Sequence, residues 1–581
     1  MSTLNASSPV ASKYDYARFS QLSGNFDSIT GRTDYTVTFR KLMTAKQTKR
    51  TRMLVAVSFI AELGFILWLL APTHYPATNT ALYEIIGSAI LVVAIALIEL
   101  FRLTSVISLG SSILNAREPV PMRPQRGTRV AFLTTIVPSK EPIELVRKTL
   151  EAMMRVRHNG VYDVWLLDEG NDSRVKAVCA ELGVNHFSRN GIEKWNQPTG
   201  IYRAKTKHGN LNAWLDVHGD NYEFGMCVDS DHVPHQNFAE RMLGYFRDPN
   251  VAFVVGPQVY GNVNNFITKA AESQASIFQS TIQRGANRFN SGMFVGTNNA
   301  FRIRTWRQIG GFQDSITEDL LTSFKVHASF NLSTGVRWKS VYTPDVVAVG
   351  EGPSSWADFF SQQLRWSRGA GEVVRHHYWR YFWKLSPAQR VHYSLILACF
   401  PTAGMSWVLG ALIGALYLIG GYAGPNVPQN VWGALYVDVA ASQYALYVWM
   451  NKYNVSPHED PSSAGTRGIL ISILSMPMYA AAWIDTLLRR KTSFVITPKG
   501  DNASSESLVS FKRHLQWGGV YASIIGLGAA TNHHFLMTNL WAGLSMFGCL
   551  LPLLIWRTSR IVKPHKIVPY QPSINFKEVS S

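Results

Sequence analysis

Cysteine is scarce: the 581 residues hold four, Cys179, Cys227, Cys399 and Cys549, scattered and without a Cys-x-x-Cys pair. That spacing excludes a zinc ribbon and a disulfide framework. Charge is scarce too. Asp, Glu, Lys and Arg make up 16% of the chain, against roughly a quarter in soluble domains, while 46% is hydrophobic. An ordinary soluble enzyme is a poor fit, and a membrane protein is expected. Acids are the scarcer sign, 38 against 56 Lys and Arg, for a net charge of +18. No recognisable nucleic-acid module accompanies this excess, so a nucleic-acid partner is not expected. Much of it flanks apolar segments, where the positive-inside rule puts it. Internal repeats and long low-complexity segments are missing as well. The first 50 residues also lack the apolar run of a signal peptide.

What is present is a series of apolar runs. Residues 1–52, basic from Arg40 to Arg52, read as a cytoplasmic tail, partly disordered. Two spans follow within 53–105, at Met53–Ala71 and Ala81–Phe101, each near the ~20 residues that cross a bilayer. Their connection, Pro72–Thr80, has no Lys or Arg and belongs outside. Apolar runs resume at His392–Ile419, Val431–Met450, Gly468–Leu488, Gly518–Ala530 and Phe535–Ile555, with a short external loop at Gly424–Pro428. The run Gly468–Leu488 is basic on both sides and broken by Ser472, Ser475, Pro477 and Asp485. It reads as a helix lying on the cytoplasmic face, with a kinked span as the alternative. The expectation is therefore six crossings. Interfacial helices and two spans fill 368–488, a loop region 489–513, two spans 514–556, and a basic cytoplasmic tail 557–581. Both termini then lie in the cytosol.

Between the two sets of spans, residues 114–367 alternate in pattern. Val130–Val137, Val161–Leu167, Phe224–Val228 and Val251–Val255 read as buried strands, and Pro142–Val156, Asp172–Leu182 and Gln236–Arg247 as helices. Such alternation predicts a parallel sheet with ligands at the carboxyl ends of its strands. Polar motifs stand at those ends. Asp229-Ser230-Asp231 follows one strand, where two carboxylates can hold a divalent cation by their oxygens, although many surface turns share the pattern. Ser139 and Glu141 follow the first strand and either face a nucleotide or cap the next helix. Asp168 ends the second, where a carboxylate can accept hydrogen bonds from a base or ribose. Lys207-His208-Gly209-Asn210 precedes a helix; Lys207 can neutralise a phosphate, and His208 has no second ligand at metal spacing. Thr317-Glu318-Asp319 opens another helix and offers either a cap or a general base. Gln362, Arg365 and Trp366 share one helical face, a guanidinium fork beside a flat ring.

These motifs, in this order, with Gly296-Thr297-Asn298 and Phe494-Val495-Ile496-Thr497-Pro498-Lys499, resemble the membrane-embedded family-2 glycosyltransferases that include cellulose synthase. The resemblance covers roughly residues 50–560. It implies an α/β GT-A (Rossmann-like) domain set between transmembrane helices. It also implies a processive, inverting β-glycan synthase that uses UDP-glucose and passes the polysaccharide across the plasma membrane. Asp229 and Asp231 would hold Mg²⁺ or Mn²⁺. Ser139, Glu141, Asp168, Lys207, Asp229, Gln362, Arg365, Thr497 and Lys499 would hold UDP. Asp319, with Glu318 and Thr317, would supply the base, and Trp366 with Gly296, Thr297 and Asn298 would meet the acceptor. Departures from the family pattern stand at Lys140, Glu169 and Ile496, and at Gln363, where cellulose synthases carry Arg. The last argues against a strictly cellulose product, and the expected product is a 1,3- or 1,4-linked β-glucan. A chitin- or hyaluronan-like synthase, or a single-addition transferase acting on lipid, are the rivals. A transporter or scaffold with a degenerate domain is disfavoured by the intact aspartates. No PilZ domain fits after the last span, so accessory export or regulatory subunits are the partners left open.

Overall fold

A computed structural model describes residues 16–28, 35–75, 81–459, 463–490, 504–533 and 535–559. Along the chain, helix α1 (Ala45–Leu69) and helix α2 (Leu82–Leu114) form a long apolar pair. Thr44 caps α1 by accepting the Gln47 N–H at 3.3 Å, while Gln47 returns a bond to the Thr44 N–H at 2.9 Å. The helix therefore starts a turn or two ahead of the expected span and carries its basic residues as helix.

Among the described residues there are eleven strands, beginning with β1 (Phe39–Lys41), β2 (Arg117–Pro119), β3 (Arg129–Ile136), β4 (Val161–Asp168), β5 (Asn185–Phe187) and β6 (Phe224–Cys227). After them come β7 (Val233–Pro234), β8 (Val251–Val255), β9 (Asn299–Arg302), β10 (Lys339–Tyr342) and β11 (Ala348–Val349). Seven make one sheet in the order β10-β8-β9-β6-β3-β4-β5. The four strands read from the sequence fall within a residue of their places. The sheet is not all parallel, however: β9 runs antiparallel to both neighbours, β6 and β8. Asn299, Ala300 and Phe301, which directly follow the Gly296-Thr297-Asn298 motif, are buried in mid-sheet.

Alternate side chains of the central strands feed two cores. Phe132, Leu166, Met226 and Val254 pack with Leu150, Phe238 and Met242 on one face. Leu133, Leu167, Cys227 and Val255 pack with Trp214 and Trp306 on the other. Each such side chain contributes about 1.5–3 kcal/mol by burial, which holds the strand ends in register.

The helices that shape the site are α3 (Lys207–His218), α4 (Phe266–Ile277), α5 (Gln283–Phe289), α6 (Glu318–His327) and α7 (Trp356–Val373). After them come α8 (Pro387–Leu418), α9 (Gln429–Asn451), α10 (Thr466–Leu487), α11 (Lys512–Ala530) and α12 (Leu536–Ser559). Among the described helices, α1, α2, α8, α10 and α12 are long and apolar enough to cross a membrane. Helices α9 and α11, expected as crossings, fall short of that measure: α9 carries Asp438 and α11 opens on Lys512-Arg513. Helix α10, expected on the surface, meets it. Yet 56% of its most apolar stretch is buried in protein, against 17–22% for the other four. It packs on α4, α7 and α8, and Asp485 near its end pairs with Arg368 of α7.

The expected disordered tail is partly ordered. Tyr16 is buried against Val259, Val346 and Val349, and the Ser23 hydroxyl and N–H donate to Asp345 at 2.6 and 2.7 Å. Further on, β1 pairs with β2. Apolar and hydroxyl side chains spaced through a polar stretch are enough to dock it.

Candidate active site

Strand β6 delivers Asp229, Ser230, Asp231 and His232 to the carboxyl edge of the sheet. The Asp229 N–H donates to Thr297 Oγ1 at 3.0 Å, which ties the turn to the segment before β9. Lys207 reaches across, bonding the Asp229 carboxylate and the Gly296 carbonyl, the latter at 2.6 Å. Burial pulls the Lys207 ammonium down, but Asp229 together with Cys227 and Glu318 outweighs it and holds the group above the ordinary lysine range. Asp231 is buried; its Oδ1 lies 3.3 Å from His232 Nδ1, and its Oδ2 accepts the Glu351 N–H at 3.3 Å.

Asp229, Asp231 and His232 each place a ligand atom within 4.8 Å of the others. His232 Nε2 is buried with no hydrogen-bond partner. Two carboxylates with one imidazole suit Mg²⁺ or Mn²⁺, so the donor set fits the expected ion. His232 is not among the residues expected to bind it, although it directly follows Asp231. Its ring lies on Gly350, where a Cβ would stand 2.5 Å from Nδ1 and nearer still to Cε1. Only glycine leaves room for that ring.

Lys207 owes its place to a buried ion pair. Fully buried Arg189 meets Glu169 at 3.0 and 2.8 Å and also donates to the carbonyls of Trp195, Arg203 and Thr206. The loop between 189 and 206 is gathered around this one guanidinium. Thr206 then caps α3 through the Gly209 N–H at 3.2 Å and sets Lys207 at the helix start. Nothing local in the sequence marks Arg189; its partners come from four separate stretches of loop.

The opposite wall is the start of α6. Glu318 and Asp319 are both half-buried. Desolvation with repulsion from Asp319 pushes Glu318 up to about 7, and Asp319 is also raised, chiefly by desolvation. Asp319 Oδ1 accepts the Leu320 N–H at 2.8 Å. The Thr317 hydroxyl is buried with no hydrogen-bond partner, and its methyl lies so near Gly369 of α7 that a Cβ there would stand 3.0 Å from Thr317 Oγ1. Helix α7 thus rests on the α6 start and brings Arg365 to it. Burial pulls the Arg365 guanidinium below the ordinary arginine range, while Glu318, Asp229 and Asp319 oppose the pull. A Cβ on Gly296 would stand 3.8 Å from both Glu318 Oε1 and Lys207 Nζ, so the two walls face each other there.

The remaining expected residues divide. Glu141 accepts the Val137 N–H at 2.8 Å and the Ser230 hydroxyl at 2.7 Å, joining the ends of β3 and β6. Ser139 is exposed at the rim. Asp168 is fully buried, and its oxygens take the N–H groups of Gly170 and Asp172, with His186 Nε2 at 3.2 Å. Those bonds hold the turn after β4. Gln362 hydrogen-bonds the Tyr260 hydroxyl, whereas Gln363 accepts from Tyr479 at 2.6 Å and fastens α7 to α10. Trp366 is half-buried on α7, and Asn298, at φ +50°, donates to the Pro257 carbonyl at 2.8 Å. Thr497 and Lys499 lie outside the described residues.

Residues 134–310 match the family described as glycosyl transferase family 2, and residues 226–450 match glycosyl transferase family group 2. Together these two matches span residues 134–450, and the curated relatives the chain resembles are cellulose synthases. It is 25% identical over 267 residues to the cellulose synthase catalytic subunit (UDP-forming) of Xanthomonas axonopodis pv. citri, covering 45% of this chain and 34% of that protein. It is 22% identical over 556 residues to cellulose synthase 2 of Novacetimonas hansenii, covering 89% of this chain and 32% of that one. The chain thus spans about a third of the length of these relatives. Among solved structures it resembles a mannosyltransferase from Pyrobaculum calidifontis in complex with GDP-Man and Mn²⁺. The match has a TM-score of 0.42 and 14% identity, covering 71% of this chain and 100% of that one. Strands β4 to β9 and the Asp229-x-Asp231 turn at the sheet's edge lie within the residues that match glycosyl transferase family 2.

Proposed function

We propose that the chain is a processive, inverting β-glycan synthase, drawing sugar from UDP-glucose in the cytosol and passing the polymer outward. The observation that carries the reading is the meeting of two acidic groups across one cleft. Asp229, Asp231 and His232 stand on one side, and Glu318 with Asp319 on the other, with Lys207 and Arg365 set among them. Two cations against four carboxylates leave room for a divalent ion and a diphosphate.

Asp229, Asp231 and His232 would hold Mg²⁺ or Mn²⁺, whose charge would neutralise the departing UDP. Lys207 and Arg365 would bind phosphate oxygens and keep the donor's anomeric carbon facing the acceptor. Asp319 would take the proton of the acceptor hydroxyl as its oxygen forms the new bond to that carbon. The bond to UDP breaks on the opposite side, which inverts the centre. A half-buried base with a raised pKa suits this step, because it accepts the proton more strongly than an exposed aspartate. The turn fixed by Asp168, with Glu141 and Ser139, would receive the nucleoside, and Trp366 with Gly296–Asn298 would seat the chain end. Thr497 and Lys499 would close over the donor from a gating loop. The helices would place the GT-A domain and both termini in the cytosol, with α10 held against the domain and six crossings in the plasma membrane.

Incubating purified protein with radiolabelled UDP-glucose and digesting the product with linkage-specific glucanases tests the reading. Label that a 1,4- or 1,3-glucanase releases is the expected result. Label found only in a lipid-soluble, one-sugar product overturns it in favour of single addition.

A further inference from the structure

At the far edge of the seven-stranded sheet, away from the cleft, lies a recess of about 520 Å³. Val37, Phe39, Val251 and Val341 give it an apolar floor. Its rim carries Arg117, Arg288, Arg337 and Lys339 and no carboxylate. Edge strand β10 does not offer its outer side for pairing here. The Ser340 N–H donates to Asn290 Oδ1 at 2.9 Å and the Tyr342 N–H to Asn287 Oδ1 at 2.8 Å. Side chains therefore close the strand's polar groups and leave a shaped hollow.

The cations come from three elements, β2, α5 and β10, and they are poorly compensated. Lys339 meets Asp248 at 3.0 Å. Arg337 donates to the carbonyls of His327 and Lys384 at 2.6 and 2.7 Å, which fixes it without neutralising it. Arg117 and Arg288 form no ion pair among the described residues, and Arg288 is exposed. In the β1–β2 register Arg117 stands directly opposite Lys41, so two like charges share the recess side of the ribbon. Glu118, next along the strand, turns the other way to Arg40 and Arg284, at 3.2 and 3.0 Å. Four cations thus line the recess, with Lys41 beside Arg117 and one carboxylate, Asp248, paired to Lys339. Solvated positive-inside residues do not need a hollow; these surround one.

The recess also sits where the chain leaves the membrane helices. Strand β2 begins three residues after α2 ends at Leu114, and Gly285 of α5 lies against the Ser112 backbone of α2. We propose that this recess binds a phosphate-bearing anion, presented by the headgroup of an acidic lipid at the bilayer surface or by a free phosphate compound. Arg117 and Arg288 would fork the phosphate oxygens, Arg337 and Lys339 would set the far side, and the valines and Phe39 would meet the ligand's apolar part. The site is separate from the transfer cleft and does not depend on its chemistry.

The test measures binding of three probes to the purified full-length protein: dioctanoyl phosphatidylglycerol, dioctanoyl phosphatidylcholine and inorganic pyrophosphate. Wild type is compared with the double variant Arg117→Gln/Arg288→Gln and with a control of equal charge loss elsewhere, Arg126→Gln/Lys176→Gln. Removing two surface cations should weaken binding about thirtyfold, and Arg288→Gln alone, at an exposed side chain, about fivefold. That single variant serves if the double one misfolds. Loss on phosphatidylglycerol assigns a lipid source, and loss on pyrophosphate a free one. Binding no tighter than to phosphatidylcholine, or equal in recess and control variants, overturns the proposal.

Discussion

Gly350→Ala should loosen the metal grip of the cleft without touching a ligand. Both backbone groups of Gly350 are tied: its N–H donates to the Val259 carbonyl at 2.9 Å, and its carbonyl accepts the Gly261 N–H at 2.8 Å. The backbone has little freedom to retreat. A Cβ there would stand 2.5 Å from His232 Nδ1, whereas atoms in contact sit roughly 3.5 Å apart, so the ring must move about 1 Å. The ring is 1% exposed and lies 3.3 Å from Asp231 through Nδ1, so moving it disturbs that contact. Overpacking of this kind costs about 1–3 kcal/mol. Disturbing a group that completes or orients a metal set costs about ten- to a hundredfold in affinity. The assay is a Mn²⁺ titration of UDP binding, followed calorimetrically, with thermal unfolding measured in parallel. The titration midpoint should move by that factor while unfolding stays cooperative. His232→Ala removes the obstacle, so adding Gly350→Ala to it should cost little more. A folded Gly350→Ala protein with wild-type metal dependence, or fully additive costs in the double variant, would refute the reasoning.

Asp319→Asn should abolish transfer yet leave UDP binding near wild type, because it removes a base and no phosphate contact; a tenth of the normal turnover, or roughly that, would place the base elsewhere. The rate should also depend on pH in one sense. A carboxylate with a raised pKa is protonated and idle when acid, and Glu318, its neighbour, sits at about 7. So kcat/KM should fall with acidification from a higher pH than an exposed aspartate would set, approaching tenfold per unit; a rate that holds until about pH 4, where a free aspartate titrates, would contradict this. Deleting 494–499 should collapse polymer synthesis while sparing folding and insertion, with Thr497→Ala and Lys499→Ala each lowering turnover; normal polymer from the deletion would end the gating role.

Much of the site was legible because it is built from short polar motifs at the ends of apolar strands. Asp229 and Asp231 after Phe224–Val228, and Glu318 with Asp319 before an apolar helix, announce themselves locally. What escaped the reading depends on distant partners. The direction of β9 is set by pairing with β6 and β8, and neither pairing leaves a mark in Asn299–Arg302 itself. Asp168 stands at the end of β4 as read, and the bonds by which its oxygens hold the following turn and His186 are what the local pattern does not announce. Whether a span faces lipid or protein is likewise not written in its hydropathy. Helix α10 is apolar enough to cross, and only its packing on α4, α7 and α8 shows where that surface is spent.

The central claim is repeated transfer at this cleft, and it is tested most directly by counting. With enzyme and a limited supply of UDP-glucose labelled in the sugar, UDP released and label in high-molecular-weight product are measured together over time. The expected result is one UDP per sugar incorporated, with long chains present from the earliest points and both signals absent in Asp319→Asn. UDP release that halts after a single sugar per acceptor, or polymer still made by Asp319→Asn, would contradict the account.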